Sequence, residues 1–211
     1  MSDENNRIEK LLAQAKADTE EKTSVSEAER EFADSAAAEK TYRQLREKLF
    51  RINRWNAESG LMGFTLFSKD GEETPEKTAV VGDFIRISLP GSGKYDWVKI
   101  ANVEEHRNEV VLTVQPTFDP TDSAADKSAT SHFFTDASTN NFCLRLDDSK
   151  IKMYVIGLNE ETNTDDTGNL LESARNLATA NLGHYLGFQK AAWTTFCRNF
   201  LENGEQMRTE N

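Results

Sequence analysis

The stretch FCLRLDDSKIKMYVIGL, Phe142–Leu158, reads as two strands and the turn that joins them. Phe142, Leu144 and Leu146 alternate with Cys143 and Arg145, the period of two that places alternate side chains on opposite faces of a sheet. Asp147-Asp148-Ser149 is turn chemistry, and Lys150–Leu158 is rich in the β-branched and aromatic residues that suit a pleated surface. Strands joined by so short a turn pair antiparallel.

Reading upstream, the same grammar recurs. Thr130–Thr135 is a further strand, preceded by the long polar loop Asp119–Ala129. Before it come Leu61–Phe67, Phe84–Leu89, Tyr95–Val103 and Val110–Val114, the last two joined across the four polar residues Glu105–Asn108 as a hairpin. This gives an antiparallel β-rich middle of about six to seven strands. Its first group, residues 61–116, contains Gly82-Asp83 before a strand and then a short meander through Val114, and it resembles a small SH3-like barrel. The resemblance implies a barrel followed by a hairpin, and it carries no function.

Helical periodicity governs the two ends, so the fold class is α+β. Ile8, Leu11, Leu12 and Ala15 form one narrow face within Asp3–Ala17, an amphipathic segment that docks in cis or in trans. Residues 18–25 read as a linker. Ser26 with Glu29 has the spacing of a capping box, and Phe32, Ala36, Tyr42, Leu45, Leu49 and Ile52 follow at helical spacing, predicting one helix from about 27 to 53. Residues 169–202 carry two apolar stripes, predicting two helices broken near Gly187 or one kinked helix. The organisation expected is an N-terminal segment and linker over 1–25, one α+β domain over 26–202 and a disordered tail over 203–211.

Charge narrows the function classes. The 211 residues carry 36 Asp and Glu against 25 Lys and Arg, a formal charge of −11. Affinity for nucleic acid comes mainly from basic groups that neutralise phosphates. With the basic residues dispersed, nucleic acid and anionic membranes are not expected partners. No apolar run approaches the ~18 residues that would span a bilayer. Cys143 and Cys197 are too few and too far apart for a disulfide framework, and the start of the chain has no secretory pattern, which points to the cytoplasm.

The motifs fail at named positions. Pro90-Gly91-Ser92-Gly93-Lys94 lacks the phosphate-loop pattern, because Ser88 stands where the first Gly belongs and Tyr95 follows the Lys. It reads as a turn between strands. Asn163–Gly168 fails as a calcium loop, since Ala174 occupies the position of the bidentate Glu. His106, His132 and His184 have no ligand spacing, so neither a metal nor a cofactor is expected. Cys143 with His132 as base and Asp136 as its orienting carboxylate is the best catalytic constellation available, against the simpler reading of a buried structural cysteine. Tyr95, Trp97, Phe133 and Phe134 are candidate binding residues on the β-rich part. Glu160 and Glu161 lie just after a strand, where sites often sit, but read as a solvated acidic loop.

These absences point away from an enzyme and toward a binding or assembly protein, with a protein partner or self-association through Phe32–Ile52 or Trp193–Leu201. The alternative is a small enzyme or small-molecule binder built on Cys143 and His132 beside the Gly-rich loop.

Overall fold

In the computed structural model, residues 7–18, 22–59, 62–88, 95–123, 134–161 and 182–202 are described, with the side chains of 182–189 left aside. Seven strands form one antiparallel sheet: β1 Thr23–Glu31, β2 Gly63–Phe67, β3 Phe84–Ser88, β4 Tyr95–Glu105, β5 Glu109–Pro116, β6 Thr139–Asp147 and β7 Lys150–Leu158. Their order is β1-β7-β6-β5-β4-β3-β2, so the first strand crosses over to pair with the last and the rest form a meander. The helices are α1 Arg7–Ala17, α2 Ser35–Leu49, α3 Asn56–Ser59 and α4 Leu182–Glu202, with a 3-10 turn, Ile52–Trp55, ahead of α3.

The sheet is open, and the barrel expected over 61–116 does not form. β5 does not turn back to close a barrel; it continues into β6 with Val111 opposite Cys143. The antiparallel β-rich middle packed by helices at both ends is present as read. An open sheet leaves two edges, and both are occupied. On β2, the Leu66 amide donates to Asn53 Oδ1 at 2.9 Å and Asn56 Nδ2 donates to the Phe64 carbonyl at 3.0 Å. Along β1, Ser26 Oγ donates to the Lys190 carbonyl at 3.2 Å and Arg30 Nη1 to the Leu201 carbonyl at 2.9 Å, both on α4. Side chains and a helix thus cover the edges that would otherwise template aggregation.

The reading of 27–53 as one helix is corrected. Thr23–Glu31 pairs with Leu158–Lys150 over its whole length, so Ser26 lies within a strand and the linker expected over 18–25 ends inside it. The helix starts eight residues later than expected, where Asp34 accepts from the Ala37 amide at 2.8 Å. The Ser26/Glu29 spacing is met by chance; nine consecutive cross-strand pairings outweigh one local cap. Of the two readings of the C-terminal helical region, the break near Gly187 is absent: α4 runs unbroken through Gly183 and Gly187, and 169–181 lie outside the described residues. Of the strand expected over 130–135, Phe134 forms a single bridge and Thr135 is in no strand, and 130–133 lie outside the described residues.

Each face of the sheet has its own helix. On one, Trp55, Phe64, Phe142, Trp193, Phe196 and Phe200 interlock, with Trp55 and Phe142 centroids 4.5 Å apart and Trp193 edge-on to Phe142 at 5.4 Å. A buried ion pair ties this side together: Lys48 Nζ on α2 lies 2.6 Å from the Glu58 carboxylate on α3 and donates to the Phe200 carbonyl of α4. Burial pulls the Lys48 ammonium below its usual range, and the Glu58 carboxylate holds it up. On the other face, Ile8, Leu11 and Ala15 of α1 cover Val111, Cys143, Tyr154, Ile156 and Leu158. Arg145 fixes α1 in place by bridging Glu9 to the buried Glu109. The N-terminal segment therefore docks in cis.

No described helix is long and apolar enough to cross a membrane.

Candidate ligand site between α4 and the sheet

The register of β6, β7 and β1 sets Asn140 opposite Gly157 and Gly157 opposite Ser24. The three therefore form one row across the sheet and share a face. Phe142, Val155 and Ser26 form the next row. Phe142 and Val155 belong to the core beneath α4, and alternation puts Asn140, Gly157 and Ser24 on that same side. The far end of the α4 face is thus aromatic, and this end is polar.

The chain turns back over the row just after β7. Asn159 adopts a left-handed backbone, φ 53°, which reverses the chain direction. The Glu160 amide donates to the Lys22 carbonyl at 2.9 Å, Ser138 Oγ donates to the Asn159 carbonyl at 2.7 Å, and the Thr135 amide donates to the Glu161 carbonyl at 2.9 Å. Held on both sides, the loop folds Glu160 inward. A Cβ added at Gly157 would collide with the Glu160 carboxylate and the Ser24 hydroxyl, so only glycine leaves them room.

Glu160 is 5% exposed and Asn140 is 8% exposed. Burial pushes the Glu160 carboxyl up to about 7, against a hydrogen bond from Ser24 that acts the other way. Glu160 Oε1 and Asn140 Oδ1 have no hydrogen-bond partner among the described residues. The same holds for the indole nitrogens of Trp55 and Trp193 in the aromatic core. Most buried polar atoms in folded proteins are hydrogen-bonded, so such a grouping calls for an explanation.

The candidates picked out in the sequence lie elsewhere. Cys143 is fully buried on the α1 face, its thiol donates to the Asn141 carbonyl at 3.5 Å, and burial raises it well above the ordinary thiol range. Cys197 is buried against β1 and is raised by burial to about 12. Asp136 is exposed in the turn before β6; His132, Phe133 and the Gly-rich residues 91–93 lie outside the described residues, as does the failed calcium loop. Trp97 and Phe134 are buried, whereas Tyr95 is 46% exposed. The Arg86 guanidinium lies over both the Tyr95 and Phe67 rings, at 4.6 and 5.0 Å. Among the described residues no group of three or more His, Cys, Asp or Glu is placed to hold a metal.

Glu160 is a correction: one of the two glutamates read as a solvated loop is inside. The available signal was Gly157, a glycine in an otherwise bulky strand, which marks a close approach by another group. Asn140 and Ser24 carried no signal of their own, because their adjacency exists only through the pairing of β1 with β7.

No protein-family profile and no curated protein matches the chain. Solved structures do. A hypothetical protein of Helicobacter pylori superposes with a TM-score of 0.54 at 8% identity, over 88% of this chain and 89% of that one. A protein of Arthrobacter aurescens gives 0.44 at 14%, over 92% and 95%. The di-domain ARO/CYC BexL gives 0.47 at 11%, over 95% of this chain and 54% of its own. The first of these is a likeness of fold alone.

Proposed function

We propose that this chain is a non-catalytic binding protein that holds a small molecule between α4 and the β6-β7-β1 end of the sheet. The observation that carries this is the pair of buried acceptors, Glu160 Oε1 and Asn140 Oδ1, left without partners beside a glycine that keeps the row clear of further side chain. A buried polar group without a partner destabilises a fold by about 1–3 kcal/mol, and a ligand that supplies the partner recovers that energy on binding. The aromatic wall beyond the row suits the apolar body of such a ligand.

A self-associating protein would need other surfaces than those expected from the sequence. Tyr42, Leu45, Leu49 and Ile52 are buried in the chain's own core, as are Trp193, Phe196, Phe200 and Leu201.

The test is thermal unfolding with a set of aromatic fragments bearing cationic, neutral and anionic heads, on the wild type and on Gly157→Ala. Fragments that raise Tm in the wild type and not in the variant support the reading. Fragments that raise both equally, or none that raises either, overturn it.

A further inference from the structure

Resting on that reading, we infer that the site takes a small molecule whose end is an ammonium group, bound by Glu160 and Asn140 with an aromatic or aliphatic body directed toward Phe142 and Trp193. Three features lead there. The unpartnered atoms of the row are both acceptors, so the matching ligand end must donate. One acceptor belongs to a carboxylate that no described lysine or arginine meets in an ion pair, so a cation is what the row lacks. Phe142 stands two residues along β6 from Asn140 on the same face, and the Trp193 ring crosses it edge-on at 5.4 Å. A desolvated carboxylate favours an organic cation through charge, and the aromatic core that begins at Phe142 suits its apolar body. A carboxylate or phosphate ligand would set its own charge against the Glu160 carboxylate.

Three probes share one body and differ in the head: 2-phenylethylamine, 2-phenylethanol and phenylacetate. Calorimetric titration of the full chain should rank the amine ahead of the alcohol by about tenfold or more, with phenylacetate weakest. In Glu160→Gln, which keeps the shape and one acceptor oxygen but not the charge, the amine should fall to the level of the alcohol while the alcohol holds its affinity. Circular dichroism of the variant confirms that it folds, and Asn140→Leu supplies a second variant, expected to weaken the amine and the alcohol together. Phenylacetate binding as tightly as the amine overturns the inference, and so does an amine preference that survives in Glu160→Gln. Equal affinity for all three heads removes the ammonium class and leaves interior binding standing; binding by none of the three removes both.

Discussion

The two faces of the sheet are covered in different ways. The α4 face is closed by three helical elements and a 3-10 turn, all meeting in one aromatic core that Lys48 and Glu58 pin from within. The α1 face is closed by one eleven-residue helix through three buried side chains and a bridge from Arg145. A helix of that length is marginal alone, so its order depends on the surface beneath it. The first face belongs to the global fold, and the second can open without it. The polar row lies on the first face, where a vacant hydrogen bond is held open by rigid surroundings.

The largest effects should come from the α4 face. Phe196→Ala removes a fully buried ring that packs on Trp55, Phe142 and Trp193, and should lower the unfolding free energy by about 4 kcal/mol in urea melts. Lys48→Met leaves the Glu58 carboxylate buried without that cation and should destabilise by about 3–5 kcal/mol, whereas Lys48→Met with Glu58→Leu should recover most of the loss. A double variant as unstable as the single one would mean that Lys48 acts through its other partners.

Glu160 gives the next effect, and its sign is set by burial. Its carboxyl rises from 4.5 to about 7 in the fold, so between those values the native chain binds more protons than the unfolded one. Stability associated with this group is therefore full below pH 4.5 and is lost as pH rises through about 7. Relative to Glu160→Gln, the wild type should lose about 2–3 kcal/mol between pH 5 and pH 8. Parallel pH profiles for the two proteins would place the carboxylate in water.

The smallest global effect should come from the α1 face. Leu11→Ala should lower the unfolding free energy in urea melts by no more than about 2 kcal/mol, because α1 can release before the sheet unfolds. It should instead speed the labelling of Cys143, which α1 covers, by about tenfold or more. Unchanged labelling would show that α1 unfolds only with the rest of the chain.

The contrast also explains what was legible in the sequence. Strands β2 to β7 announce themselves by alternation and turn residues, because each pairs with its sequence neighbour. α1 was legible because one narrow stripe suffices for one shallow face. β1 was not: Thr23–Glu31 is largely polar, and its identity as a strand comes from a partner more than a hundred residues away on β7. The error propagated to the site. Without β1 beside β7 there is no row of Asn140, Gly157 and Ser24, and Glu160 looks like one more acid in an acidic loop. Cys143 drew notice as a reactive residue type, and the same strand alternation that set it opposite Phe142 places it under α1.

The central claim is that the α4 face, at its polar end, is the binding face. The most direct measurement is backbone amide chemical-shift mapping of the labelled protein as 2-phenylethylamine is added. The account predicts shifts concentrated at Ser24, Asn140, Phe142, Gly157 and Glu160, with Val111 and Ile156 on the α1 side unmoved. Shifts centred on the α1 side, or confined to the exposed region around Tyr95 and Arg86, would contradict it.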